Sequence, residues 1–397
     1  MKKTIAAITG ITFLLGLIFS SAAAGDRVKV GVLLPLTGKL SNYGEIEHKS
    51  FLMAVEEINA SAESGDQQID LIVEDTQGVS DAGRAAIEKL IHQGKVIAIA
   101  GGISSSVTWN TSKIAQQNKV PFLVNTGAAD KITEQGWEYI FRLNPPVGEY
   151  PVSFDTFMRE VATDVKTVAI LHMDSLSGLA LARKFSKQVE NLGLKILNKQ
   201  RFEINSTDFK PLLKQVKAKN PDLVYLVAHS IDAALLMRQA REINLNPKFF
   251  WGHSIGFVQH EFQLNAGDAA EYIWSAGRWT PAAPYPGARE YFDKFAQKYG
   301  ISPDYHGAQA YSAMYVIADA LRRADELTPE GVRNALAKTD MITVFGPVKF
   351  VSYNKKVQQN RLPTLLVQWI NGKLEIVWPK DIATRKYVFP TPKWTDR

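Results

Sequence analysis

Three histidines stand at matching places in the chain. His172 comes directly after the apolar run Val168–Leu171, and His229 and His253 come one small residue beyond Leu223–Val227 and Phe249–Trp251. If those runs are neighbouring strands, all three imidazoles point toward one crevice, where they can donate, accept or ligate. No HExxH or HxH spacing is present and no carboxylate stands directly beside them, so hydrogen bonding to an oxygen-rich ligand is the expected use, and no metal is expected. A second group is rich in hydroxyls. Gly101-Gly102-Ile103-Ser104-Ser105-Ser106 and Asn125-Thr126-Gly127-Ala128 each follow an apolar run. A serine triplet between a glycine turn and a helix can turn hydroxyls and backbone N–H groups toward an anion. The same serines can serve only as helix N-caps, and the sequence leaves both uses open.

Catalytic constellations are missing. Ser104, in Gly-Gly-Ile-Ser-Ser-Ser, is no elbow serine of the GxSxG kind, and there is no Walker loop and no GxGxxG, since Gly101-Gly102 lacks a third glycine. Glu74-Asp75 are adjacent strand residues that face opposite sides, which suits turn residues better than an acid/base pair. Trp109, Trp251, Trp274 and Trp279 read as core, with Trp251, near His253, the best exception. With 0 cysteines, disulfides, thiolate metal sites and cysteine nucleophiles are excluded. The chain is therefore expected to be no enzyme and to carry no cofactor. Its net charge of +6 is scattered, the longest basic runs being pairs such as Arg322-Arg323 and Lys355-Lys356. Nucleic acid needs a stripe, so it is not an expected partner.

The elements that must position these residues follow from 397 residues of ordinary globular composition, 46% hydrophobic and 22% charged, which is too long for one core. Lys2, Lys3, the uncharged run Ile5–Phe19 and Ala22-Ala23-Ala24 read as a secretory signal cut after Ala24. Without a cysteine no lipid anchor is expected, so the address is a periplasm. A strand–helix rhythm then begins with Val28–Leu34, Ile69–Val73, Val96–Ala100 and Pro121–Val124, separated by helices. Asn144-Pro145-Pro146-Val147-Gly148 breaks the pattern. A second series runs through Val168–Leu171, Leu223–Val227, Phe249–Trp251 and Tyr272–Ser275 to the Pro-rich stretch Thr280–Pro286. Helices follow, the longest with Ala310, Met314, Ile317 and Leu321 on one face, and Thr364–Ile370 and Leu374–Val377 close the chain about Asn371-Gly372. Short apolar strands alternating with helices predict an α/β fold of two doubly wound parallel-sheet lobes. Ligands of such sheets bind beyond the carboxyl ends of the strands, where the histidines and serines lie.

These residues carry a resemblance. Gly31-Val32-Leu33-Leu34-Pro35-Leu36-Thr37-Gly38 with Tyr43-Gly44, the Gly-Gly-Ile-Ser-Ser-Ser turn, Leu236-Met237-Arg238-Gln239-Ala240-Arg241 and Val344-Phe345-Gly346-Pro347-Val348-Lys349-Phe350 stand in one order along the whole mature chain. Together they resemble the solute-binding proteins of Leu/Ile/Val (hydrophobic amino acid) ABC importers, which have the type I periplasmic binding protein fold. The resemblance implies a monomer that closes on a small carboxylate-bearing ligand and docks on an inner-membrane permease with its ATPase; the alternative is a periplasmic sensor on the same fold. It implies Tyr43 as a lid over the ligand. Ser104 with Ser105 and Ser106, and Thr126, Gly127 and Ala128, would hold the carboxylate, while His229 and His253 or Ser254 would face the ligand from the second lobe. Three crossings are implied, near Leu143–Pro146, Trp279–Pro284 and Phe350–Tyr353. They give a first lobe of 25–144 plus 280–351 and a second of 145–279 plus 352–397. Two departures bear on the ligand. His253-Ser254 stands where amino-acid binders of this family place an acidic residue for the ligand ammonium, and His229 replaces a tyrosine. An ammonium buried without a carboxylate costs several kcal/mol, so a hydrophobic or aromatic acid is expected to bind at least as well as its α-amino counterpart.

Overall fold

The structure is a computed structural model that describes residues 27–61 and 67–397. The signal segment expected over 1–24 lies outside the described residues. The first series forms β1 (Val28–Leu34), α1 (Ser41–Ser61), β2 (Ile69–Asp75), α2 (Ser80–Lys89), β3 (Ala98–Gly101), α3 (Ser105–Gln117), β4 (Phe122–Val124) and β5 (Ile140–Arg142). The second forms α4 (Val152–Glu160), β6 (Thr167–Met173), α5 (Leu176–Asn191), β7 (Lys195–Phe202), α6 (Lys210–Lys219), β8 (Leu223–Val227), α7 (Ser230–Glu242), β9 (Phe249–Gly252), α8 (Ser254–Phe257), α9 (His260–Ala266) and β10 (Trp274–Gly277). The chain then returns through α10 (Ala288–Tyr299), α11 (Tyr305–Arg323), α12 (Pro329–Ala337), β11 (Asp340–Thr343), β12 (Gly346–Tyr353) and β13 (Lys356–Asn360), and finishes with β14 (Leu365–Ile370) and β15 (Lys373–Trp378).

Two sheets result. One has the order β11-β12-β13-β5-β4-β3-β1-β2, the other β15-β14-β10-β9-β8-β6-β7. Their centres are parallel, as in Val32 beside both Val73 and Ala100, or Leu226 beside both Leu171 and Gly252. Central strands such as β8 (Leu-Val-Tyr-Leu-Val) and β3 are buried along their whole length, because helices cover both faces, and each fully buried branched side chain contributes about 1.5–3 kcal/mol. One edge of each sheet is antiparallel: β11, β12 and β13 form a meander, and β14 and β15 a hairpin turning at Asn371-Gly372. Among the described residues no helix is long and apolar enough to cross a membrane.

Three features differ from the sequence reading. β5, β7 and the β11–β13 meander were not anticipated. β5 is only three residues long, and β7 (Lys-Ile-Leu-Asn-Lys-Gln-Arg-Phe) is a polar edge strand, so neither shows an apolar run. The third crossing also moves. β13 pairs with β12 at Phe350/Asn360 and with β5 at Gln359/Arg142, so residues 356–360 belong to the first sheet, and the chain leaves it through Arg361–Thr364 instead of Phe350–Tyr353. The other passages between sheets run from β5 to α4 and from β10 to α10.

Candidate functional site

In the first lobe, the turn after β3 is built by two glycines. Gly101 (φ 115°) and Gly102 (φ 89°) hold left-handed backbone, and a Cβ on Gly101 would lie 2.3 Å from the Leu33 carbonyl oxygen. Only glycine permits that approach. The turn delivers Ser104 to the N-cap of α3, yet its hydroxyl caps nothing. It lies 3.1 Å from the Ser106 hydroxyl instead. Ser104 is therefore not a side-chain cap, and the hydroxyl pair lies at a helix start whose N–H groups no side chain caps. Ser105 is spent inside the lobe: its Oγ accepts from the N–H groups of Ala128 and Ala129, both at 3.2 Å.

The Thr126–Ala128 segment differs from its expected part. Thr126 is buried, with its hydroxyl 2.6 Å from Glu47 Oε1 and 3.0 Å from Gln309 Oε1. The Gly127 N–H donates to the Gly102 carbonyl at 2.7 Å, and the Ala128 N–H to Ser105. Their donors are thus engaged in fixing the loop, because the loop leans back on the lobe core. Arg142, fully buried on β5, completes this: it donates to the Ala129 carbonyl (2.6 Å), Thr133 Oγ1 (3.0 Å) and Gln359 Oε1 (2.6 Å). Burial pulls its pKa down to about 10.

Glu47 lies beneath this segment on α1, wholly buried. Asn125 Nδ2 donates to its Oε2 at 2.8 Å. Gln309 Nε2 donates to Asn144 Oδ1 at 2.7 Å, which fixes Gln309 Oε1 as an acceptor. The Thr126 hydroxyl has one hydrogen between two acceptors and donates it along the shorter contact, to Glu47 Oε1. Burial pushes the Glu47 pKa up to about 8, against the hydrogen bonds from Thr126 and Asn125.

In the second lobe the three histidines separate. His172 is the penultimate residue of β6, not a residue beyond it. Its ring is buried and its Nδ1 lies 3.0 Å from the Met173 carbonyl, which differs from the expected place in the crevice. His229 and His253 do stand beyond β8 and β9, at the N-caps of α7 and α8, with neither side chain capping. His229 is exposed. The half-buried His253 has Nδ1 3.1 Å from the Tyr225 hydroxyl. Burial, then the charges of Arg278 and Lys184, push its pKa down to about 4, so the ring is neutral. Ser254 opens α8; its side chain lies outside the described part of the structure. Trp251 packs edge-on to Phe154 in the core.

An aromatic ladder joins the lid position to the crossings. Tyr43, 42% exposed at the start of α1, lies 4.6 Å from the His306 ring, and His306 stacks on Tyr305 at 3.9 Å. The guanidinium of Arg278 comes next, 4.3 Å from the Tyr305 ring and 4.4 Å from that of Tyr150. Gly44 lets the start of α1 close on Pro35, since a Cβ there would lie 2.1 Å from the Pro35 carbonyl oxygen. Arg278, Tyr150 and Tyr305 were missed in the sequence. Arg278 directly follows β10, so the rule that picked the histidines applied to it as well. Among the described residues, no group of three or more His, Asp or Glu side chains is placed to hold a metal ion.

The profile of a family described as periplasmic binding protein matches residues 27–373. The chain is similar to a leucine-, isoleucine-, valine-, threonine- and alanine-binding protein of Pseudomonas aeruginosa, at 28% identity over 83% of this chain and 87% of that one. It is also similar to a Leu/Ile/Val-binding protein homolog of Brucella melitensis, at 25% identity over 98% and 100%. In fold it matches a branched-chain amino acid transporter substrate-binding protein from Streptococcus pneumoniae in complex with isoleucine (TM-score 0.65, 23% identity, 88% and 97% covered). It matches equally an ABC-transporter solute-binding protein from R. palustris in complex with benzoate (TM-score 0.64, 19% identity, 88% and 94% covered). The architecture is that of the type I periplasmic binding proteins.

Proposed function

The chain belongs to the periplasmic binding protein family, and we propose that it is the substrate-binding component of an ABC importer, capturing a small carboxylate-bearing ligand between its two lobes and delivering it to a membrane permease and its ATPase. It works as an exported monomer in the periplasm, by closure and release without turnover. The observation that carries this reading is the chemistry at the strand ends. The first lobe offers the Ser104–Ser106 hydroxyl pair at the start of α3. The second offers a neutral His253 beside the positive charge of Arg278. Donors and a cation suit an anion. The relatives' names speak for amino acids and the benzoate complex for a desamino acid; the neutral histidine, where an ammonium would need a carboxylate, favours the second class.

The test is a thermal-shift screen of refolded, ligand-stripped protein against hydrophobic amino acids and aromatic or aliphatic monocarboxylates. A true ligand at a hundredfold over its Kd adds about 2.7 kcal/mol of stability. Deleting the gene should then abolish uptake of that acid in labelled form. Intact uptake with a lost behavioural or transcriptional response would assign the protein to sensing. No response to any carboxylate would overturn the reading.

A further inference from the structure

We propose that Arg278, absent from every expected ligand set, is the anchor for the ligand's carboxylate, and that it selects desamino acids over α-amino acids; this rests on the reading of the chain as a small-carboxylate binder. The residue sits where the ligand must pass. It directly follows β10 at the crossing between lobes, and its guanidinium is held between Tyr150, from the first crossing, and Tyr305, at the head of α11. Both ring centroids lie within 4.4 Å of its central carbon, so the two rings pack against the guanidinium and hold it in place. Its N–H donors lie in the guanidinium plane, where a carboxylate is gripped with two parallel hydrogen bonds.

The acidic groups around it are engaged with other partners. Asp304 holds His306 through its side chain and backbone. Glu149, next to Tyr150, accepts from the Tyr353 hydroxyl at 2.6 Å. Among the described residues Arg278 makes no ion pair with Asp or Glu, although seventeen Lys or Arg pairs of this kind are found. A fixed, half-buried cation without a counter-charge is a site for an anion from outside. The sandwich immobilises the fork before the ligand arrives, so little ordering remains to be done on binding.

Selectivity follows from the same group. A ligand ammonium one carbon from the carboxylate would stand close to the Arg278 charge and would find His253 neutral, with no carboxylate to receive it. The ligand is then an apolar or aromatic monocarboxylate. On closure, the carboxylate's remaining lone pairs face the Ser104 hydroxyl of the first lobe.

Calorimetry on refolded, ligand-stripped full-length mature chain decides this, with 4-hydroxybenzoate, 3-phenylpropanoate and 4-methylpentanoate as probes, beside the primary amides of all three and phenylalanine and leucine. In the wild type at least one acid should bind at least a hundredfold tighter than its amide and at least tenfold tighter than its α-amino counterpart. Arg278→Gln should weaken that acid at least fiftyfold and leave its amide within threefold. Arg278→Lys, which keeps the charge but loses the fork, should give an intermediate loss near tenfold. The acid-to-amide ratio in the wild type needs no variant and survives any folding defect. An acid that binds Arg278→Gln within threefold of wild type would reduce Arg278 to a hinge strut and overturn the inference while leaving the binding function intact. A tighter α-amino acid would overturn the selectivity. Failure of every probe acid to bind the wild type would count against the carboxylate reading itself.

Discussion

Replacing Glu47 by glutamine should stabilise this protein at neutral and alkaline pH. Glu47 is wholly buried and accepts hydrogen bonds from Thr126 and Asn125, which oppose but do not outweigh the cost of burying its charge. Burial pushes its pKa from 4.5 to about 8. Between those two values the folded protein holds a proton that the unfolded chain has released, so stability is full below pH about 4.5, falls as pH rises, and levels off above about 8. At about 1.4 kcal/mol per pH unit the complete loss is about 5 kcal/mol. Glutamine keeps a neutral polar group of the same shape at this place and releases no proton. Glu47→Gln should match wild type near pH 4.5–5 and exceed it by about 2 kcal/mol at pH 6, and by several kcal/mol at pH 8–9. Glu47→Ala, which strands Asn125 and Thr126, should be less stable than Glu47→Gln at every pH by about 2–4 kcal/mol. Urea denaturation of the variants in parallel from pH 5 to 9 measures the difference directly, because all other titrating groups are shared. Parallel curves for wild type and Glu47→Gln, or a less stable Glu47→Gln at pH 9, would refute the proton that burial holds on Glu47.

Ser104→Ala should leave the melting temperature unchanged, since the hydroxyl caps no helix, and weaken binding of a cognate acid by about 1–3 kcal/mol; lost stability with unchanged affinity would make it structural. Ser105→Ala should do the reverse, costing about 1–2 kcal/mol of stability in urea melts because the N–H groups of Ala128 and Ala129 lose their acceptor. The His253 ring should show the NMR shifts of neutral imidazole from pH 8 down to pH 5, with protonation only near pH 4; a midpoint near 6.5 would mean the ring is solvated and far from Arg278.

Much of the fold was legible because parallel strands buried on both faces must be continuous apolar runs. Val28–Leu34 and Leu223–Val227 are strands over those same bounds. The runs failed as a guide where burial is one-sided or brief. β12 alternates buried and exposed residues between β11 and β13, and β5 is fixed by its neighbours on both sides and not by its own three residues. Missing those strands put the third crossing some ten residues early.

The site was legible in position more than in orientation. The strand-end rule found Ser104, His229 and His253, but it could not show that the Thr126 hydroxyl turns inward to Glu47, because that needs a carboxyl from a helix 79 residues away. It also passed over Arg278. A lone arginine after a strand looks like surface charge until two tyrosines, one 128 residues earlier and one 27 later, are known to enclose it.

The most direct test of the account is an experimental structure with the tightest-binding probe acid. The account predicts closed lobes with the ligand between them, its carboxylate held edge-on by the Arg278 guanidinium and touched by the Ser104 hydroxyl. A ligand seated outside the cleft, or inside it with a carboxylate that meets neither residue, would contradict it.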